Sequence, residues 1–146
     1  MSTSPTFSAQ LLGQTEKSLN AILDRLLAGT GLTEHRWIAL RLTVMSGGSV
    51  DRDELTTRVA GGLKVSEAEA RARVAELAAA QLVHVEGETV RLTDAGRELH
   101  AVIRAAVAEV TERMWGDLPA EDLATAGRVL STVLARAEVE HARLAA

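Results

Sequence analysis

Arg71 and Arg73 follow closely behind Ser66, a candidate helix cap, and each offers a planar fork of donors matched to a phosphate or to the O6/N7 edge of guanine. Lys64 and Ser66 add a cation and a hydroxyl at the turn before that helix, where backbone phosphates are commonly gripped. His84 and Arg91 stand on two short alternating runs downstream and point to the face opposite Val83 and Val85. Together these six side chains have the chemistry of nucleic-acid contact. Four of them also have an ordinary explanation: ion pairs with Glu67, Glu69 or Glu76 at helical spacing for Arg71 and Arg73, capping for Ser66, and a half-exposed strand position for His84. A second group, His35, Trp37 and Arg41, sets cations around an aromatic ring and would suit a small organic anion, against the ordinary reading of Trp37 as core.

Other chemistries lack their constellations. With no cysteine, the chain has no disulfide, thiolate metal site or thiol redox switch. His35, His84, His100 and His141 are scattered without ligand spacing, so no metal or cofactor is expected, and His141 reads as an interface residue. No phosphate-cradling glycine loop, nucleophile elbow or poised carboxylate pair is visible, which argues against an enzyme.

The elements that must position these residues are legible in the hydrophobic periods. From Phe7 to Leu27, Leu19, Ile22, Leu23, Leu26 and Leu27 repeat at helical spacing until Gly29-Thr-Gly31. Thr33 caps a second helix with Trp37, Leu40, Val44 and Met45 on its apolar face, ended by Ser46-Gly-Gly48. Asp51 caps a short helix carrying Leu55 and Val59, which the pair Gly61-Gly62 is expected to break. Ser66 opens the next, with Glu69 in capping-box position and Ala70, Val74 and Leu77 facing inward. The period then changes to two: Val83, Val85, Val90 and Leu92 flank Glu86-Gly87-Glu88 as a β-hairpin. A long helix follows from Asp94 through Leu99, Ile103, Val107, Val110 and Met114, with Trp115 expected to pack at its end. Pro119 falls in the first turn of a last helix, where Leu123, Leu130, Ala137 and Leu144 recur every seven residues beside Ala126 and Val133, with Leu134 a further dimerisation residue. Such a seam requires a partner helix.

The order is helix, helix, helix-turn-helix, hairpin, long helix, helix: a mainly α chain with a small β-hairpin, and a winged helix-turn-helix plan over 51–93. Residues 1–50 read as an N-terminal dimerisation helix and a connecting helix, and 94–146 as the long helix and C-terminal dimerisation helix, all in one intertwined unit. The 47% apolar and 25% charged composition is that of an ordinary globular protein, and only 2% of residues are aromatic, so aliphatic side chains on helices must build the core. Neither a secretory leader nor a membrane-spanning run is apparent, so a cytoplasmic location without membrane contact is expected. The net charge of −4 is unhelpful to a DNA binder, and the proposed reader is itself not basic, with seven basic against nine acidic side chains over 51–97.

Leu32-Thr-Glu-His-Arg-Trp-Ile-Ala-Leu40, Glu76-Leu77 through Leu82-Val83, and Leu92-Thr-Asp-Ala-Gly-Arg97 give the chain a resemblance, over nearly its whole length, to the multiple-antibiotic-resistance regulator (MarR) family. The resemblance implies a triangular homodimer of six-helix protomers. In it the first helix, with Leu11 and Leu12, is knitted to the last, and two winged lobes read the half-sites of a pseudo-palindrome. It further implies a transcriptional regulator, a repressor by family habit, released by a small-molecule inducer bound near His35, Trp37 and Arg41. Two departures favour an alternative, a winged-helix dimer serving as a protein-interaction or ligand-binding module with weak or lost DNA binding. Ala72 stands where relatives carry an arginine midway along the reading helix, and the short acidic Glu86-Gly87-Glu88 replaces a longer wing with an Asp-x-Arg element. Glu67 and Glu69 suit the helix dipole, while Glu69 has cytosine N4 as an alternative partner.

Overall fold

The computed structural model describes residues 4–146. Six helices and three strands follow in the order α1 (Ala9–Leu27), α2 (Glu34–Met45), β1 (Ser49–Asp51), α3 (Arg52–Leu63), α4 (Glu67–Ala79), β2 (Val83–Glu86), β3 (Thr89–Leu92), α5 (Asp94–Trp115) and α6 (Ala120–Ala145). They divide into two compact units, one ending at Val107 and the other running from Ala108 to Ala146.

Local capping chemistry sets most boundaries in the first unit. Ser8, Thr33, Asp51 and Ser66 each accept a hydrogen bond from the backbone N–H three residues on, satisfying donors that a helix start leaves open. Helix α1 therefore begins at Ala9, not Phe7. Helix α3 departs further from expectation, because Gly61-Gly62 does not break it. The helix continues to the half-buried Leu63, and Lys64, at φ 59° and in the left-handed region, ends it. Val65 N–H then donates to the carbonyl of Ala60 at 3.1 Å, closing the last turn as a Schellman-type cap does. A Cβ on Gly62 would meet Leu42 Cδ1 at 3.9 Å, an ordinary van der Waals contact, so the packing of α3 on α2 does not require a glycine there.

The core gathers Leu40 of α2, Leu55 and Val59 of α3, Ala70, Val74 and Leu77 of α4, Val83 and Val90 of the hairpin, and Ile103 of α5. The hairpin forms, pairing His84 with Arg91 and Val85 with Val90; Glu86 belongs to β2 and pairs with Thr89, so the turn is Gly87-Glu88 and not the three residues expected, with Gly87 at φ 62°. It gains a third strand. β1 pairs with β3 on the side away from β2, giving the order β1-β3-β2, and Val50 is its one buried residue.

The start of α5 is clamped to the corner after α4. Thr93 Oγ1 donates to the carbonyl of Leu82 at 2.9 Å and accepts from Gly96 N–H at 3.0 Å, while Thr93 N–H reaches the same Leu82 carbonyl at 3.1 Å. A Cβ on Gly96 would lie 2.1 Å from that carbonyl oxygen, closer than any real contact, so the motif Leu92-Thr-Asp-Ala-Gly96 is the chemistry of this junction.

In the second unit Pro119 precedes α6 as its cap, and the helix proper starts at Ala120. Trp115 is the last residue of α5 and remains 38% exposed instead of packing into the turn.

Candidate nucleic-acid interface

Helix α4 turns Ala70, Val74 and Leu77 inward, and its geometry then fixes what the other side can present. The outward stripe, at i, i+4, i+7 and i+11, is Ala68, Ala72, Ala75 and Ala79. No long side chain stands along its centre; the polar groups lie on its two flanks.

On the flank towards α2, Glu76 is the hub. Arg36 donates from Nε to Oε2 at 2.7 Å, with Nη2 2.6 Å from the same oxygen, and Arg73 Nε lies 2.9 Å from Oε1. That last contact is an ion pair without hydrogen-bond alignment, since Arg73 Nε is buried and makes no directed bond. Arg73 is only 28% exposed, whereas Arg71, on the opposite flank, is 60% exposed and held only by Glu67 at 3.8 Å. The two arginines read alike in the sequence, and the structure gives them different surroundings.

Arg71 faces α3 across a cleft of about 380 Å³ whose other walls are Arg52, Asp53, Thr56 and Val74. Arg52 was not anticipated as a site residue, because it follows the capping Asp51 and looks like first-turn surface. Lys64 is exposed at the turn between α3 and α4, and Ser66 Oγ is occupied by Glu69 N–H at 3.1 Å. On the sheet, His84 and Arg91 are directly paired and both exposed, Ser49 flanks Arg91 on the other side, and Glu86 comes within 3.9 Å of Arg91. The wing turn is tied to α3 by Arg52 N–H donating to the carbonyl of Glu88 at 2.7 Å.

Trp37 is core at 5% exposure, and its ring stacks on His100 with centroids 5.2 Å apart and planes 21° from parallel. Burial pushes the His100 pKa below 6.5, and the nearby Arg104 and Arg41 guanidinium groups push it the same way. Arg41 is exposed and His35 half-buried. His100 and Arg104 were missed in the sequence because they lie some sixty positions from Trp37, with no local period linking them.

No protein-family model matches the chain, and no curated protein matches it in sequence. Solved structures do. A MarR-family transcriptional regulator from Streptomyces coelicolor superposes with a TM-score of 0.72 at 20% identity, covering 88% of this chain and 91% of that one. A MarR-family protein from Mycobacterium tuberculosis in complex with DNA gives 0.69 at 21%, covering 88% and 98%. CouR from Rhodococcus jostii RHA1, bound to p-coumaroyl-CoA, gives 0.72 at 19%, covering 84% and 88%.

The chain has the MarR-like winged-helix fold.

Within that MarR-like fold, the helices expected to meet a partner expose apolar side chains. Leu11 of α1 is exposed and Leu12 half-buried. On α6, Leu130, Leu134, Ala137 and Leu144 are exposed, Leu123 and Val133 are half-covered, and no residue of the helix is buried. Among the described residues, no group of three or more His, Asp or Glu side chains is placed to hold a metal ion, and no helix is long and apolar enough to cross a membrane.

Proposed function

We propose that this protein is a DNA-binding transcriptional regulator that acts as a homodimer on a pseudo-palindromic site. The observation that carries the reading is the winged helix-turn-helix itself, with α4 open to solvent along its outer face and the His84–Arg91 pair exposed on the adjoining wing. Arg71 and Lys64 are the cations assigned to DNA at the reading helix, with Ser66 at its N-terminus and His84 and Arg91 on the wing. Arg73 is assigned a different task, holding Glu76, on the strength of its partial burial.

An alanine stripe favours close approach and contact with thymine methyl groups over bidentate base recognition. Sequence preference then rests more on DNA shape and on the flanking arginines. The dimer is assigned to the apolar faces of α1 and α6, through Leu11, Leu12, Leu123, Leu130, Val133, Leu134, Ala137 and Leu144, of which Leu11, Leu130, Leu134 and Leu144 are large apolar side chains left exposed in a single chain. Repression, released by an organic anion at His35, Trp37, Arg41, His100 and Arg104, is the regulatory scheme that the cationic surroundings of the stacked pair support.

A second reading has its own observation. Glu67, Glu69, Glu86 and Glu88 border the same face, and the engaged Arg73 subtracts a cation from it, as would suit an interaction module that no longer holds DNA. Selecting bound sequences from a random duplex pool separates the two. A regulator enriches a motif of two half-sites about one helical turn apart, about 10 base pairs; an interaction module leaves the pool unchanged.

A further inference from the structure

We propose that Arg52 and Arg71 close from two helices on one phosphodiester of the DNA backbone, making the cleft between α3 and α4 a phosphate clamp. The inference rests on the DNA-binding reading and deepens it, since Arg52 belongs to neither the reading helix nor the wing.

Both arginines line one open cleft of about 380 Å³, with Thr56 and the buried Val74 among its walls. Both cations are available to a ligand. Arg36, Arg58, Arg73, Arg113 and Arg143 are each held by a carboxylate at 3.2 Å or less, whereas Arg52 makes no ion pair among the described residues. Arg71 has only Glu67, at 3.8 Å on an exposed helix face, a contact too weak to compete with a phosphate.

The root of Arg52 is fixed while its head is left open. Its N–H is bonded to the carbonyl of Glu88 at 2.7 Å, and its carbonyl accepts from Thr56 Oγ1 at 2.8 Å, so the backbone at this position is anchored to both the wing turn and α3. A side chain projecting from an anchored backbone loses less freedom on binding than one on a loose loop. Asp53 on the same wall sets the charge class of the ligand. Among the lining side chains two guanidinium groups face one carboxylate, and Glu67 stands beyond them at 3.8 Å from Arg71, so the cleft suits a singly charged phosphodiester better than a phosphate dianion.

The test is fluorescence anisotropy with a labelled duplex across a series of chloride concentrations, using the full chain, Arg52→Ala, Arg52→Lys and, as a charge-matched control outside the cleft, Arg113→Ala. Loss of one phosphate contact should reduce the slope of log K against log salt by about one in Arg52→Ala, equally for different duplex sequences. Arg52→Lys should recover part of it, and Arg113→Ala should keep the wild-type slope. A wild-type slope in Arg52→Ala, on a steep wild-type background, overturns the clamp and leaves DNA binding standing. A flat wild-type response overturns both. Replacing chloride by inorganic phosphate at matched ionic strength distinguishes the source: displacement of DNA from the wild type but not from Arg52→Ala would make the cleft a free-phosphate site and contradict the assignment.

Discussion

Arg36 and Glu76, forty residues apart in sequence, meet at 2.7 Å and bind the N-terminal end of α2 to the reading helix α4. The same carboxylate holds Arg73, so one acid organises cations from two helices in a partly buried setting, where such contacts contribute more than on open surface. The orientation of α4 against α2 depends on this acid as well as on the apolar face of α4.

Glu76→Gln keeps the shape and removes the charge. It should destabilise the protein by about 1–2 kcal/mol, read as a lower urea midpoint with an unchanged m-value. An unchanged midpoint would mean that the network contributes nothing and that apolar packing alone seats α4.

Two glycines should respond in opposite directions. Gly96→Ala forces a Cβ against the Leu82 carbonyl and should cost about 3 kcal/mol or more, with a fall in Tm large enough to show in any thermal melt. Gly61→Ala meets open space inside a helix and should stabilise by about 0.5–1 kcal/mol. Equal effects would contradict the assigned roles of both.

His100 gives the fold a pH dependence of definite sign. Its folded pKa lies below the ordinary 6.5, owing first to burial and then to Arg104 and Arg41. Above 6.5 the imidazole is neutral in both folded and unfolded chains. As the pH falls from 6.5 towards the lowered folded value, the unfolded chain takes up the proton first, and stability declines until the folded protein is protonated as well. Denaturant midpoints measured between pH 7.5 and pH 5.5 should therefore fall more steeply for the wild type than for His100→Gln. Parallel curves would remove His100 from the account.

The dimer assignment has a direct check in light scattering. Leu130→Glu combined with Leu134→Glu places two charges on the exposed face of α6 and should give a monomer of half the wild-type mass, with helical content retained. A double variant with the wild-type dimeric mass would refute the seam.

Much of this fold was legible because its signals are local. Thr33, Asp51 and Ser66 cap where their chemistry says they should, the change of period at Val83 marks the hairpin, and Ala70, Val74 and Leu77 are the buried face of α4. What escaped depends on tertiary partners. β1 is three residues with one buried side chain, too short to show a period, and exists because β3 offers it an edge. Gly61-Gly62 stays helical because Leu63, packed against the core, and the cap closed by Lys64 and Val65 stabilise the longer helix against glycine's entropy. At the candidate interface, spacing placed Arg71 and Arg73 on α4 but could not tell which one Glu76 would engage. The cleft that brings Arg52 to Arg71 joins positions nineteen apart and has no sequence signature.

The central claim is that this winged-helix chain grips duplex DNA in a sequence-selective way. Its most direct measurement is fluorescence anisotropy of the purified protein with the duplex upstream of its own gene, titrated at two salt concentrations beside a scrambled duplex. The account predicts tight binding that weakens steeply with salt and exceeds the scrambled control by about a thousandfold or more. Binding to the two duplexes that is equally weak, or insensitive to salt, would contradict it.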